Sequence, residues 1–306
     1  MFFGDIPVSV DYETALYILR QKECMPQGKS WSLDFPAVIN HTSTAAAKKH
    51  PDFEAAKKGD FDAAIRLVND LVKNDKVLQI AKSYPNAHII YNHRMKGTGI
   101  NMIPAAYAAR FSAIGMIVEH NVIGITNVSH TGASDLSRIC KRMRYEGAII
   151  PGADYILLDD FITSGAEIRD LKDYVESKAG HVVLISTLGH GSYSKLSDIR
   201  IDTKYKDKLR LLGITDQVLR KYGIATSTNC LTLGEAAKLS RVVDTQAKKQ
   251  LASNCSRVQH IDQREQNSEK MDSSKQQSRI EYDSSSSQNK ESTIDINKQK
   301  YSKIKR

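Results

Sequence analysis

YILLDDFITSGAEIRDLKDYVESKAGHVVLIS, residues 155–186, decides the fold. Residues 155–158 are an apolar run of strand type, and two carboxylates, Asp159 and Asp160, come at its end. A turn of small residues follows: Thr163, Ser164, Gly165 and Ala166. A helix over 167–179 opens at once and stops at Gly180, and 181–187 is a second strand. The turn offers several backbone N–H groups to one point, and the positive end of the helix dipole faces that same point. The stretch therefore predicts a site for a dianionic phosphate beside a pair of carboxylates.

Upstream, residues 87–91 and 121–126 are further strand-like runs, with a helix of small residues over 103–114 between them. Strands alternating with helices predict a Rossmann-like α/β fold, a parallel sheet covered on both faces. Ligands in such sheets bind at the carboxyl ends of the strands. HIIYNHRMKGTGIN, residues 88–101, places Arg94, Lys96 and Gly97 at one such end, where cations and close backbone would suit a polyphosphate. Residues 128–152 carry His130, Arg138, Lys141, Arg142 and Arg144. These could meet a diphosphate, with His130 as proton donor, or could equally lie on a solvated basic helix over 134–145. His190 follows the next strand and reads by default as a surface histidine.

Strand, acidic pair, two apolar residues and a Thr-x-Gly turn resemble the phosphoribosyl diphosphate (PRPP) signature of type I phosphoribosyltransferases. Orotate-type members carry the same Asp-Asp followed by apolar-Ile-Thr-x-Gly. The resemblance covers about residues 87–186. It implies that Asp159 and Asp160 contact the ribose hydroxyls and a magnesium ion, and that Thr163, Ser164, Gly165 and Ala166 bind the 5-phosphate. It further implies that Arg94, Lys96 and Gly97 bind the pyrophosphate, and that Asp159, Asp160, Lys96 and His130 are the catalytic groups. The partners implied are PRPP, pyrophosphate and a nitrogenous base or nucleotide, and a homodimer is compatible with them. Glu167 departs from the pattern, which has Thr or a small residue there: a carboxylate suits the helix dipole but would repel a phosphate if it pointed inward. Purine-type members carry Asp at the position of Thr163, so its absence argues against hypoxanthine or guanine as acceptor. HPDFEAAKKGDFDAAIRLVNDLV, KGTGINMIPAAYA and LTLGEAAKL further resemble phosphoribosyltransferase-domain proteins of bacterial plasmids and mobile elements, which implies a link to plasmid maintenance or phage defence.

Around this core the reading is a helical N-terminal extension over 1–86, a core with hood-like helices over 87–244, and a basic tail over 245–306. A helix over 42–58 ends at Gly59; Asp60 caps the next, whose Ala64, Leu67, Val68, Leu71 and Val72 recur at helical spacing. Thr232 and Glu235 form a capping-box pattern. The 306 residues carry a net charge of +9, of which the tail contributes +5 and the first 244 residues +4. The basic excess is thus no sign of a nucleic-acid-binding core, although the tail could make a weak contact with nucleic acid or protein. Residues 252–306, rich in Ser, Gln, Asn and Lys, are expected to be disordered. The four cysteines form no C-x-x-C pair, no apolar run reaches membrane-spanning length, and the N-terminus lacks a leader pattern, so a reducing cytoplasmic location is expected. Transfer of a phosphoribosyl group, magnesium-dependent and releasing pyrophosphate, is the leading reading. The rival is a non-catalytic PRPP or nucleotide sensor that regulates a partner.

Overall fold

The computed structural model describes residues 28–93, 99–125, 142–191 and 198–246, together with the backbone of 2–3, 6–7 and 95–96. All the structural features that follow belong to residues 1–247. Five parallel strands make the central sheet: β1 (Ile39–Ser43), β2 (His88–Tyr91), β3 (Val118–Glu119), β4 (Asp154–Ile162) and β5 (His181–His190). Their spatial order is β1-β5-β4-β2-β3. The register runs Tyr155↔His88 to Leu158↔Tyr91 on one side of β4 and Asp154↔His181 to Ile162↔His190 on the other. The expected α/β fold, a parallel sheet flanked by helices, is what the chain forms.

Alternation along β4 sorts its side chains between two cores. Ile156 and Leu158, with Ile89 and Leu184, face helices α1 (Phe53–Lys57), α2 (Phe61–Leu71), α3 (Asn74–Ser83) and α4 (Ile103–Ser112). Tyr155 and Leu157, with Ile90 and Ile185, face Ile168, Leu171 and Val175 of α5 (Ala166–Ser177). A smaller core joins α6 (Thr203–Leu211), α7 (Asp216–Lys221) and α8 (residues 233–246). Asp60 caps α2 by accepting from the Ala63 N–H at 2.9 Å, as its sequence position suggests.

Three local readings change. The helix over 42–58 is interrupted: Ile39–Ser43 is the edge strand β1, Ser43 caps a single turn over Thr44–Ala47, and Pro51 disfavours helical geometry at His50, so α1 restarts only at Phe53. Of the strand expected over 121–126, the described residues 121–125 hold only Ile123–Gly124, which pairs antiparallel with Tyr145–Glu146 away from the main sheet; β3 provides the edge instead. Finally, β4 continues past Leu158 to Ile162 because β5 runs beside it as far as His190. Both acids therefore lie within the strand.

Candidate active site at the switch point of the sheet

From β2 the chain crosses outward to β3, whereas from β4 it crosses the opposite way to β5. The order reverses between β2 and β4, and the crevice beyond their carboxyl ends is where an open α/β sheet binds ligands. Asn92, Asp159 and Asp160 sit there, all buried.

Strand alternation sends the two neighbouring acids to different surroundings. Asp160 turns toward the N-terminal helices. Its Oδ2 accepts from Lys57 Nζ and from Asn101 Nδ2 (2.6 Å), and its Oδ1 from the Phe161 N–H (2.7 Å). Burial works to raise its pKa, but the Lys57 ammonium and these hydrogen bonds hold it below the usual carboxylate range. Asp159 turns toward α5. Its Oδ1 accepts from the Asp160 N–H (2.8 Å), and the amide of Asn92 spans Asp159 Oδ2 (3.4 Å) and Glu167 Oε2 (3.2 Å). Burial, with the charges of Asp160 and Glu167, pushes the Asp159 carboxyl well above its ordinary value. Tyr145 orients the amide by donating to Asn92 Oδ1 at 3.2 Å.

The turn behaves as its sequence predicts. Gly165 has φ of +77°, the left-handed conformation that glycine adopts without strain, and α5 begins at the next residue. Among the described residues, the N–H groups of residues 163–166 donate to no protein acceptor. The turn is braced by the start of α8: Thr232 Oγ1 donates to the Ser164 carbonyl, and Gly234 lies so close that a Cβ on it would stand 2.7 Å from that oxygen. A cavity of about 20 Å³ between Asn40, Thr163, Ser164 and Thr232 has room for one water.

Glu167, the departure from the pattern, points toward Asn92 and Asp159. The three carboxylates at this crevice are all-oxygen donors, the kind magnesium prefers. Among the described residues, no group of three or more His, Cys, Asp or Glu is arranged to hold a metal ion. Arg94, Gly97 and His130 lie outside the described residues; Lys96 has its backbone in the short strand Met95–Lys96, and its side chain is not described. Arg138 and Lys141 also lie outside. Arg142 is no diphosphate ligand: it is buried, paired with Asp170 and with Glu235 (2.6 Å). His190 stays half-buried at the end of β5.

Sequence reasoning missed Lys57, Asn92, Asn101 and Tyr145. The two asparagines bracket the basic-glycine loop at strand and helix ends, which could have marked them. Lys57 stands 103 residues from Asp160 in an unexceptional Lys-Lys pair and left no such sign.

No protein-family model matches the chain. Two curated relatives do: Protein TraN of Escherichia coli, 32% identical over 158 residues, and an uncharacterized protein of Haemophilus influenzae, 34% identical over 172 residues. The matches cover 51% and 55% of this chain but only 35% and 38% of those proteins, so the chain spans little more than a third of their length. Among solved structures, it is similar to a hypoxanthine phosphoribosyltransferase from Staphylococcus aureus, at 11% identity and a TM-score of 0.28, over 42% of this chain and 72% of that one. So loose a superposition assigns nothing, and the fold rests on the strand order above. Among the described residues, no helix is long and apolar enough to cross a membrane.

Proposed function

We propose that the chain binds PRPP at the switch point and transfers its phosphoribosyl group to a nitrogenous acceptor. One observation carries the reading: a turn with undonated N–H groups at the start of a helix stands three residues beyond two buried carboxylates, at the crevice where the strand order reverses. The turn at Thr163, Ser164, Gly165 and Ala166 takes the 5-phosphate. Asp159 and Asp160 accept hydrogen bonds from the ribose hydroxyls and fix the sugar relative to the incoming nitrogen. Arg94, Lys96 and Gly97 meet the pyrophosphate, and His130 is the candidate proton donor. Magnesium, when bound, neutralises charge on the departing pyrophosphate.

The supporting experiment is calorimetric titration with PRPP plus magnesium, paired with an assay for pyrophosphate release across a panel of bases. Asp160→Asn is expected to weaken PRPP binding at least about tenfold while the protein stays folded. Wild-type affinity in that variant would overturn the proposal. A second reading has its own support: Glu167 faces Asp159 and Lys57 holds Asp160, so the site could bind without turnover and act as a PRPP or nucleotide sensor. Binding without pyrophosphate release for every base tested selects that reading.

A further inference from the structure

The acidic pair is not a pair in its surroundings, and the N-terminal helices are the cause. The end of α1 is fastened to the segment that leads into α4. The Met102 N–H donates to the Ala56 carbonyl at 3.0 Å. Gly99, at φ of +113°, approaches the Lys58 carbonyl so closely that a Cβ would stand 2.6 Å from its oxygen. This docking aims Lys57 at the crevice. Its ammonium lies 5.4 Å from the centre of the Phe161 ring and 6.0 Å from that of Phe53, and it pairs with Asp160, whose side chain is only 10% exposed. Asn101, from the fastened segment itself, donates to the same oxygen.

Counting lone pairs shows the consequence. A carboxylate oxygen offers two acceptor sites. Asp160 Oδ2 uses both, on Lys57 and Asn101; Oδ1 uses one, on the Phe161 N–H. One acceptor site remains, beside a fixed positive charge. That suits a single neutral hydroxyl and repels a divalent cation.

We infer that Lys57 is a positioning residue that holds the place of a metal ion at Asp160: the N-terminal helices deliver a built-in cation, so Asp160 serves a substrate hydroxyl and is closed to magnesium. This rests on the proposed PRPP site and narrows it, since the resemblance implies both acids as metal contacts. Lys57 keeps Asp160 aimed by charge and by geometry, and the extended N-terminal region becomes part of the site.

The test is calorimetric titration with magnesium chloride alone, without PRPP, on the full chain. Lys57→Met is expected to bind magnesium about tenfold more tightly than wild type, because the freed carboxylate sheds its competitor. Lys57→Arg, which keeps the cation, should match wild type. Lys57→Met combined with Asp160→Asn should lose the whole gain. Unchanged magnesium affinity in Lys57→Met overturns the inference, as does a gain that survives in the double variant, which would be a long-range charge effect. Should Lys57→Met fail to fold, Lys57→Gln gives the same comparison. Separate PRPP titration of the wild type distinguishes the two ideas: absence of PRPP binding sinks the proposed function, whereas the magnesium series alone decides the role of Lys57.

Discussion

The two faces of the central sheet differ in cover and in chemistry: four helices pack on one, and α5 packs on the other. Away from the Lys57–Asp160 pair at the crevice, the face under α1, α2, α3 and α4 buries one chain of neutral hydrogen bonds in an apolar core. The Lys73 N–H donates to His41 Nδ1 (2.9 Å), His41 Nε2 meets the Tyr107 hydroxyl (2.6 Å), which meets Ser186 Oγ (2.8 Å), which donates to the Ile39 carbonyl (3.0 Å). The face under α5 buries whole charges: Arg142, Arg169, Asp170, Asp173 and Glu235. Glu235 is the hub. One oxygen accepts from Arg142 and forms an ion pair with Arg169 (3.0 Å), while the other accepts from the Thr232 N–H in the capping box that starts α8. Although burial works to raise it, the two arginines hold Glu235 below the usual carboxylate range. The lesson concerns the site between these faces. Asp160 leans into the quiet face and needs an imported cation, Lys57; Asp159 leans toward the charged face and meets a third carboxylate, Glu167.

The largest expected effect comes from the charged face. Glu235→Ala removes a shared anion from two buried arginines and opens the cap of α8. Breaking a buried pair by deleting one partner costs about 3–5 kcal/mol. Urea unfolding should show that loss, exceeding every substitution discussed below. A loss under about 1 kcal/mol would mean that water reaches the arginines, and the contrast between the faces would collapse.

Next is the quiet face. Burial first, then Lys76, lowers the pKa of His41 from 6.5 to about 4. The unfolded chain therefore binds more protons than the native one between those values, so stability rises with pH through that window and is lost as pH falls from 6.5 toward 4. At about 1.4 kcal/mol per pH unit, the loss is on the order of 2–3 kcal/mol. Unfolding midpoints at pH 4.5 and 7 should differ accordingly, and His41→Gln should flatten the difference. An equal slope in that variant would assign the pH dependence to other groups.

A smaller effect is expected where the charged face meets the phosphate turn. Gly234→Ala would push a methyl into the Ser164 backbone, with a cost of about 1–3 kcal/mol. Because the strain falls on the turn, PRPP affinity should drop with stability. Lost stability with intact affinity would show the turn to be indifferent to its brace.

Much of this was legible in one stretch of sequence. Residues 155–186 carry their strand, turn, helix and strand as local patterns, and the Thr232 and Glu235 box is a four-residue signal; both are present in the structure. Strands β1 and β3 were illegible for a physical reason. At β1, Ile39-Asn-His-Thr-Ser reads as polar, yet it is a strand because β5 offers it a ladder; β3 has only two residues. The roles of Lys57 and Arg142 depend on partners 103 and 28 residues away, and no spacing rule reaches that far. A basic run between residues 138 and 144 looks the same whether its arginines seek a phosphate or a buried aspartate.

The finest comparison is between the two acids themselves, with opposite signs expected. Asp160→Asn leaves Lys57 without its counter-ion among the rings of Phe53 and Phe161, so stability should fall. Asp159→Asn replaces a buried acid whose ionisation burial, Asp160 and Glu167 all oppose, and an amide can occupy the same space, so stability at pH 8 should rise by on the order of 1 kcal/mol. The pH dependence follows the same logic. The native state holds a proton on Asp159 at pH values where the unfolded chain has released it, so this group costs stability as pH rises from the ordinary carboxylate range through its raised value. Asp159→Asn should abolish that decline, whereas Asp160→Asn should only reduce it, because burial and the charge of Glu167 remain. Identical pH profiles for the two variants would mean that the acids share one environment, and the division between the two faces would not extend into the site.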